Sequence, residues 1–477
     1  MIKNFNSNIA WSLLSQFSNY GLSLIFTIFL ARMILPYEYG IVNQAQTITA
    51  FFIIFADGGI VWSIVREKII KNEEVINLFW INTALGILLF VLCWFSAPYV
   101  GSFYNSSEVE DVLKVLGFVF VLTGLSTPFL MWLKREMEFK KITIINIIST
   151  SIGGLFALLA AYNDYGYWSL VILALTKSFI QLLLLSIVAK MPIGFYKIKV
   201  PIRNMIKFGI GLIGFGVVNY FARNLDNILI GKIEGAIELA FYVKAYFLMF
   251  LPSMLITGAL SGLMVSVLSK VQDDSLKFQE IYGKVLRMIF VITFPVTGYF
   301  LFFPEDPIYL FYGSSWDGSI ILLQLLSIAA ITQPLYNTIG WIYTAIGKSK
   351  EMFHWGIISS VILSFSFIAG VQWGSTGIAI TYSVVMGIFF VYFGLSKAHI
   401  LANISLKDSF LPLIPIAMIG IIALVLVKSI FTYIHFESRY LEILLKVMML
   451  LSIYIIFLYL KYKDNLIGII MIQKGIK

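Results

Sequence analysis

The chain has 477 residues, of which 60% are hydrophobic and only 12% charged, with a mean hydropathy of +0.91. Soluble domains carry about 25% charged residues, so these figures exclude a soluble globular protein and point to one that crosses a bilayer many times. The net charge of +9 comes without a basic run interleaved with aromatics outside the apolar segments, which excludes nucleic acid as a partner and leaves the Lys/Arg excess of cytoplasmic loops as its source.

About 20 apolar residues cross hydrocarbon as a helix. Fourteen such spans are predicted in chain order, at about 8–33, 39–64, 76–98, 110–133, 142–161, 167–189, 206–230, 239–266, 284–303, 319–345, 353–373, 376–397, 410–433 and 441–460. The runs "LGILLFVLCWFSAPYV" in the third and "LLKVMMLLSIYIIFLYL" in the last show the pattern. Connections are short, the longest about 17 residues, so no soluble domain is inserted. The first span is too long for a cleavable signal and lacks a small-residue cleavage site, so it reads as an uncleaved helix. The single cysteine, Cys93, sits in an apolar run and offers neither an intrachain disulfide nor a metal spacing. His354, His399 and His435 fall near predicted helix ends and read as interfacial.

Charge alternates from loop to loop. With a cytoplasmic N-terminus, the inside segments are "REKIIK", "LKREMEFKK", "KMPIGFYKIKVPIRNMIK", "SKVQDDSLKFQEIYGKVLR", "GKSK", "KAHILANISLK" and the tail. Together with Lys3 they hold 25 of the 34 Lys and Arg. The outside loops, such as "YNSSEVED" and "HFESRY", are acidic or neutral. The alternation predicts both termini inside. A faint repeat relates residues 29–45 to 228–245, about six spans apart. It predicts two six-helix lobes of like orientation, 1–200 and 201–400, followed by two extra helices and a cytoplasmic tail in 401–477. The expected fold class is therefore an all-α polytopic membrane protein.

Three spans carry a polar stripe. The first has Asn8, Ser12, Ser15, Asn19 and Ser23 on one face; the second has Asn43, Gln46, Thr47 and Asp57; the seventh has Asn219, Arg223, Asp226 and Asn227. Serine stripes serve tight helix packing. Charge is not needed for packing and costs on the order of 2.5–3.5 kcal/mol at mid-bilayer, so these faces point to a water-accessible cavity. Arg223 and Asp226, three apart, can pair with one another; alternatively Arg223 offers its five-donor fork to an anionic, phosphate-bearing substrate with Asp226 holding its orientation. Lys177 and Lys244 are further cavity candidates. Asp57, followed by Gly58 and Gly59, either binds a coupling ion or caps its helix. Lys114 and Lys446 read as snorkelling structural cations, and Lys428 faces either the lipid interface or a partner. No nucleophile elbow, metal spacing or phosphate-cradling loop is present in the sequence.

Several stretches carry a family likeness: "ARMILPYEYGIVNQA", "FADGGIVWSIVREK", "LKREMEFKKI", "YGYWSLV", "NYFARNLDNILIGKIEGAIELAFYVKAY" and "LQLLSIAAITQPLYNTIGWIYTAIGKSK". In this order and spacing the chain resembles Wzx-type oligosaccharide-lipid flippases of the multidrug/oligosaccharidyl-lipid/polysaccharide exporter superfamily, over nearly its whole length. The resemblance implies two helical lobes around a cavity that opens alternately inward and outward. It implies an undecaprenyl-pyrophosphate-linked oligosaccharide as substrate, moved across the bacterial cytoplasmic (inner) membrane for O-antigen, capsule or exopolysaccharide synthesis. Proton or sodium coupling replaces any bound cofactor, and membrane lipid, a polysaccharide polymerase and chain-length machinery are the partners. Arg223 and Asp226 match the family's charged seventh-helix motif; Asn219, Asn19, Lys177 and Lys244 join them as substrate-binding residues. The turn "LAFYVKAY" departs from the family pattern, in which relatives often show a Gly and a second aromatic, and Lys244 lies in that turn. A drug exporter of the same superfamily would predict acidic cavity residues, and a polymerase or ligase would require a large outside loop with catalytic Arg or His, which the sequence lacks.

Overall fold

The computed structural model describes residues 5–56, 61–67, 69–196, 203–434 and 436–462, and among them no strand forms. The helices are α1 (Phe5–Met33), α2 (Pro36–Ala56), α3 (Trp62–Arg66), α4 (Asn72–Tyr104), α5 (Ser107–Leu116), α6 (Phe118–Arg135), α7 (Phe139–Tyr162), α8 (Trp168–Val188), α9 (Arg203–Ile233) and α10 (Ala236–Lys270). They continue with α11 (Ser275–Phe302), α12 (Glu305–Phe311), α13 (Gly318–Tyr336), α14 (Ile339–Ala345), α15 (Ser349–Gly370), α16 (Gly374–Val384), α17 (Val391–Leu401), α18 (Leu406–Phe410), α19 (Ile414–Phe431) and α20 (Arg439–Tyr462). Caps follow from local chemistry. Ser106 accepts a hydrogen bond from the Val109 N–H (3.2 Å) at the head of α5, and Asp274 accepts one from Lys277 (3.1 Å) at the head of α11.

Twelve segments among the described residues are long and apolar enough to cross a bilayer, where the sequence predicted fourteen spans. Two features account for the difference. The stretch Ser349–Leu401 counts as one segment of 53 residues, yet a continuous helix of that length would run roughly 80 Å against about 30 Å of hydrocarbon. It is broken at Gly374, where the backbone turns left-handed (φ 69°). The other is α9, whose side chains before Asn219 are described only in part, so that it is not counted.

Two compact units are formed. One comprises Met1–Val243, Phe311–Ser315 and Phe367–Ser375; the other comprises Lys244–Leu310, Trp316–Ser366 and Thr376–Lys477. In the first, α7 packs between α1 and α8, and α4 lies along α6. Val75, Leu78, Phe79, Phe129, Leu133, Ile145 and Leu185 share one buried cluster there. In the second, α11 packs on α13 and α19, and α19 on α20. Lipid supplies no hydrophobic drive between helices, so close approach and hydrogen bonds decide such contacts. Asn82 illustrates this, donating from α4 to the Gly124 carbonyl of α6 at 2.9 Å.

Two acid–glycine contacts lie inside the first unit. Glu38, in the first turn of α2, lies against Gly166 (φ 52°), which opens the turn into α8. Glu234, just before α10, lies against Gly374 at the head of α16 and accepts the Ser375 N–H; Glu238, in the first turn of α10, accepts the Ser375 hydroxyl at 3.2 Å. The heads of α2 and α10 also touch, since a Cβ at Gly40 of α2 would overlap the backbone of Ala236. At Gly374 both the positive φ and the carboxylate exclude a side chain. Gly374→Ala is therefore expected to cost about 1–3 kcal/mol, read as a lowered unfolding midpoint of the detergent-purified protein; an unchanged midpoint would mean that the turn relaxes freely.

Candidate functional site

The helix α9 sets Asn219, Arg223 and Asp226 within an arc of about 60°, but their environments differ sharply. Arg223 is exposed, Asn219 and Asn227 are half-buried, and Asp226 is 4% exposed. Asp226 accepts the Tyr242 hydroxyl on Oδ2 at 2.9 Å and the Asn227 N–H on Oδ1 at 2.9 Å. Among the described residues it forms no ion pair with Arg223. The self-neutralising pair permitted by the three-residue spacing is not made, because the carboxylate is turned inward to the first turns of α10 while the guanidinium stays at the surface. Tyr242 is the residue that sequence reasoning missed here: its hydroxyl was indistinguishable from any other aromatic in an apolar run.

The α9 stripe is held against α2. Tyr220 donates to the Thr47 carbonyl at 2.6 Å, and Gln44 donates to the Gly231 carbonyl at 2.8 Å. Of the predicted second stripe, Thr47 is buried, Asn43 half-buried and Gln46 exposed. Asp57 lies outside the described residues, as does His435.

Ser15 of the first stripe joins a different polar group in the same unit, while the side chains of Asn8 and Ser12 lie outside the described residues. Asn146 of α7 donates to the Ser15 hydroxyl (3.4 Å), and Gln181 of α8 donates to the Asn146 carbonyl oxygen (3.3 Å). Lys177, one turn before Gln181, is half-buried where α8 crosses Gly153 of α7, and Asn19 is half-buried one turn beyond Ser15. Asn146 and Gln181 were not singled out from the sequence. Each is a lone amide in its span, and only the packing of α7 against α1 and α8 makes a chain of them.

Lys244 stands in the second unit, 5% exposed, with Nζ 5.3 Å from the ring centroid of the fully buried Trp316. Two positions on, Tyr246 begins another polar cluster. Its hydroxyl is 3.2 Å from that of Tyr382, which donates to Gln333 Oε1 at 3.4 Å; its ring stacks on Phe250 at 6.2 Å. One layer away Asn337 donates to Ser253 at 2.7 Å. Aromatic faces beside amides are suited to sugar rings, with their apolar faces and hydroxyl edges. His399 departs from its interfacial expectation: it is 1% exposed, with its ring nitrogens 2.7 Å from the Leu395 carbonyl and 3.1 Å from the Ser409 hydroxyl.

Residues 29–321 match the family model described as "Polysaccharide biosynthesis protein". The lipopolysaccharide biosynthesis protein WzxC of Escherichia coli (strain K12) is 24% identical over 390 residues, covering 80% of this chain and 78% of that protein. The teichuronic acid biosynthesis protein TuaB of Bacillus subtilis (strain 168) is 23% identical, with 88% of each chain covered. Among solved structures, the lipid II flippase MurJ in an inward closed conformation superposes with a TM-score of 0.77 at 16% identity, over 96% of this chain and all of that one. An inward-facing multidrug resistance MATE family transporter superposes with a TM-score of 0.65 at 16% identity, over 82% and 96%. These likenesses place the fold among polytopic helical transporters.

Proposed function

The chain belongs to the polysaccharide biosynthesis protein family, as a multi-pass membrane transport protein and not an enzyme, and from that premise we propose that it flips an undecaprenyl-pyrophosphate-linked oligosaccharide repeat unit across the bacterial cytoplasmic membrane. Alternating access moves the headgroup through protein while the prenyl tail stays in lipid. The product feeds O-antigen, capsule or exopolysaccharide assembly, handed on to a polymerase and its chain-length machinery. Both termini are cytoplasmic in this reading.

The observation that carries it is the state of Arg223. A guanidinium on a membrane helix is costly, and this one is exposed with its nearby carboxylate, Asp226, engaged by Tyr242. The fork is thus available to a diphosphate, which it matches in a bidentate fashion. Asp226 fixes the α9–α10 junction that presents it. Lys177 and Lys244 add cationic charge, Asn219 and Asn19 add hydrogen-bonding capacity, and the Tyr246–Tyr382–Gln333 cluster contacts sugar. Coupling to a proton or sodium gradient resets the cycle, with Asp57 the residue assigned to the ion. The names of the relatives and of the structural neighbour support the substrate class: a lipopolysaccharide biosynthesis protein, a teichuronic acid biosynthesis protein and a lipid II flippase.

The test is headgroup translocation in proteoliposomes loaded with an undecaprenyl-pyrophosphate oligosaccharide. Protein-dependent transfer is expected, slowed severalfold when the proton or sodium gradient is collapsed. No transfer of the headgroup under any gradient would end the assignment; transfer indifferent to both ions would leave a facilitator and remove the coupling role of Asp57.

A further inference from the structure

In the second unit, the loop-proximal ends of α11, α13, α19 and α20 enclose a cavity of about 360 Å³, lined by Phe302, Glu305, Asp306, Gln324, Lys428 and Lys446 among others. It is remote in sequence from the α9 stripe and shares no residue with it. The deepest charges are fixed: Lys446 Nζ lies 3.2 Å from Asp306 Oδ2 and 2.8 Å from Glu442 Oε1, and the Tyr299 hydroxyl donates to Asp306 at 2.6 Å. Asp306 and Lys446 line the cavity floor, and Glu442, outside the lining, shares the same ammonium, so that two carboxylates meet one positive charge here.

The rim has the opposite character. Lys428 is exposed, its ammonium 5.8 Å from the Phe302 ring centroid, and among the described residues it meets no carboxylate. Glu305, also in the lining, gives only one oxygen to Arg439 (3.1 Å) and is largely exposed. Below the rim, Val425 and Leu426 of α19 present bare apolar side chains, a surface for acyl chains. A cationic rim beside free carboxylate oxygens, at the end of a lipid-facing helix, complements a zwitterion whose phosphate is outermost.

We propose that this cavity seats the headgroup of a phosphatidylethanolamine-type phospholipid, its phosphate on Lys428 and its ammonium on Glu305 and the Asp306 side of the floor. The volume, equivalent to roughly twelve waters at about 30 Å³ each, accommodates a phosphoethanolamine group with some hydration. The lipid would fasten the α19–α20 pair to α11 and α12, a role separate from transport of a pyrophosphate-linked sugar.

The full chain, purified in detergent, would be mixed with phosphatidylethanolamine, phosphatidylglycerol or phosphatidylcholine, and lipid retention read by native mass spectrometry. Wild type is expected to retain phosphatidylethanolamine over the other two. Lys428→Gln should lower its retention about tenfold, the worth of one charge-assisted hydrogen bond. Glu305→Gln should erase the preference for phosphatidylethanolamine over phosphatidylglycerol while leaving phospholipid bound. Equal retention by Lys428→Gln and wild type, or no preference in wild type, would overturn the proposal. So would displacement of the lipid by millimolar inorganic phosphate, which would mark a simple anion site. Because the readout is lipid retention and not translocation, the result stands apart from the fate of the flippase reading.

Discussion

Replacing Arg223 by alanine is expected to lower headgroup translocation by at least about 100-fold and to abolish surface polysaccharide, with the protein still present in the membrane at wild-type level. The magnitude follows from the chemistry. Two charge-assisted hydrogen bonds to a diphosphate contribute about 1.5–3 kcal/mol each, and every 1.4 kcal/mol is tenfold. Arg223→Lys keeps the charge and loses the planar fork, so it should retain about a tenth of the activity. Protein abundance should not fall, because the guanidinium is exposed and pairs with no carboxylate whose burial depends on it. Asp226→Asn is the internal control. An asparagine carbonyl can still accept the Tyr242 hydroxyl, so its effect should be far smaller than that of Arg223→Ala. The measurements are polymer yield in a complemented null strain, transfer in proteoliposomes and membrane abundance by immunoblot. Full polymer from Arg223→Ala would remove this residue from the substrate path.

The class of the protein was legible because a bilayer is an unforgiving solvent: twenty apolar residues between loops leave one structural solution. The charged turn of α9 was legible for the same reason, since charge in such a helix has to be explained. Partners across the chain were not. Ser15 and Asn146 are 131 positions apart, and nothing in either span announces the other. Tyr242 and Asp226 lie in adjacent helices, yet the three-residue spacing to Arg223 suggested a nearer partner than the one that is made. A likeness of 29–45 to 228–245 was visible, but the glycines against which Glu38 and Glu234 lie, Gly166 and Gly374, could be paired only by the fold. The break at Gly374 was legible, since the spans at about 353–373 and 376–397 were separated there.

Lys446 carries the sharpest revision and the second large effect. Its position near a helix end suggested a side chain reaching for the interface, yet it is 9% exposed and clasped by Asp306 and Glu442. A buried triad of this kind is stable only while complete: removing one partner leaves uncompensated charge and costs about 3–5 kcal/mol. Lys446→Met, similar in length and apolar, is therefore expected to destabilise the protein by about that amount, seen as a large drop in its unfolding midpoint in detergent. The burden falls on Asp306, 4% exposed, since Glu442 lies nearer the surface. Asp306→Asn in the Lys446→Met background should recover part of the loss, because the amide oxygen still accepts the Tyr299 hydroxyl without a charge to bury. The two substitutions then become less than additive, as coupled neighbours do. Strict additivity would mean that water reaches Asp306 when the ammonium is gone, and that the triad orders this end of α20 without stabilising it.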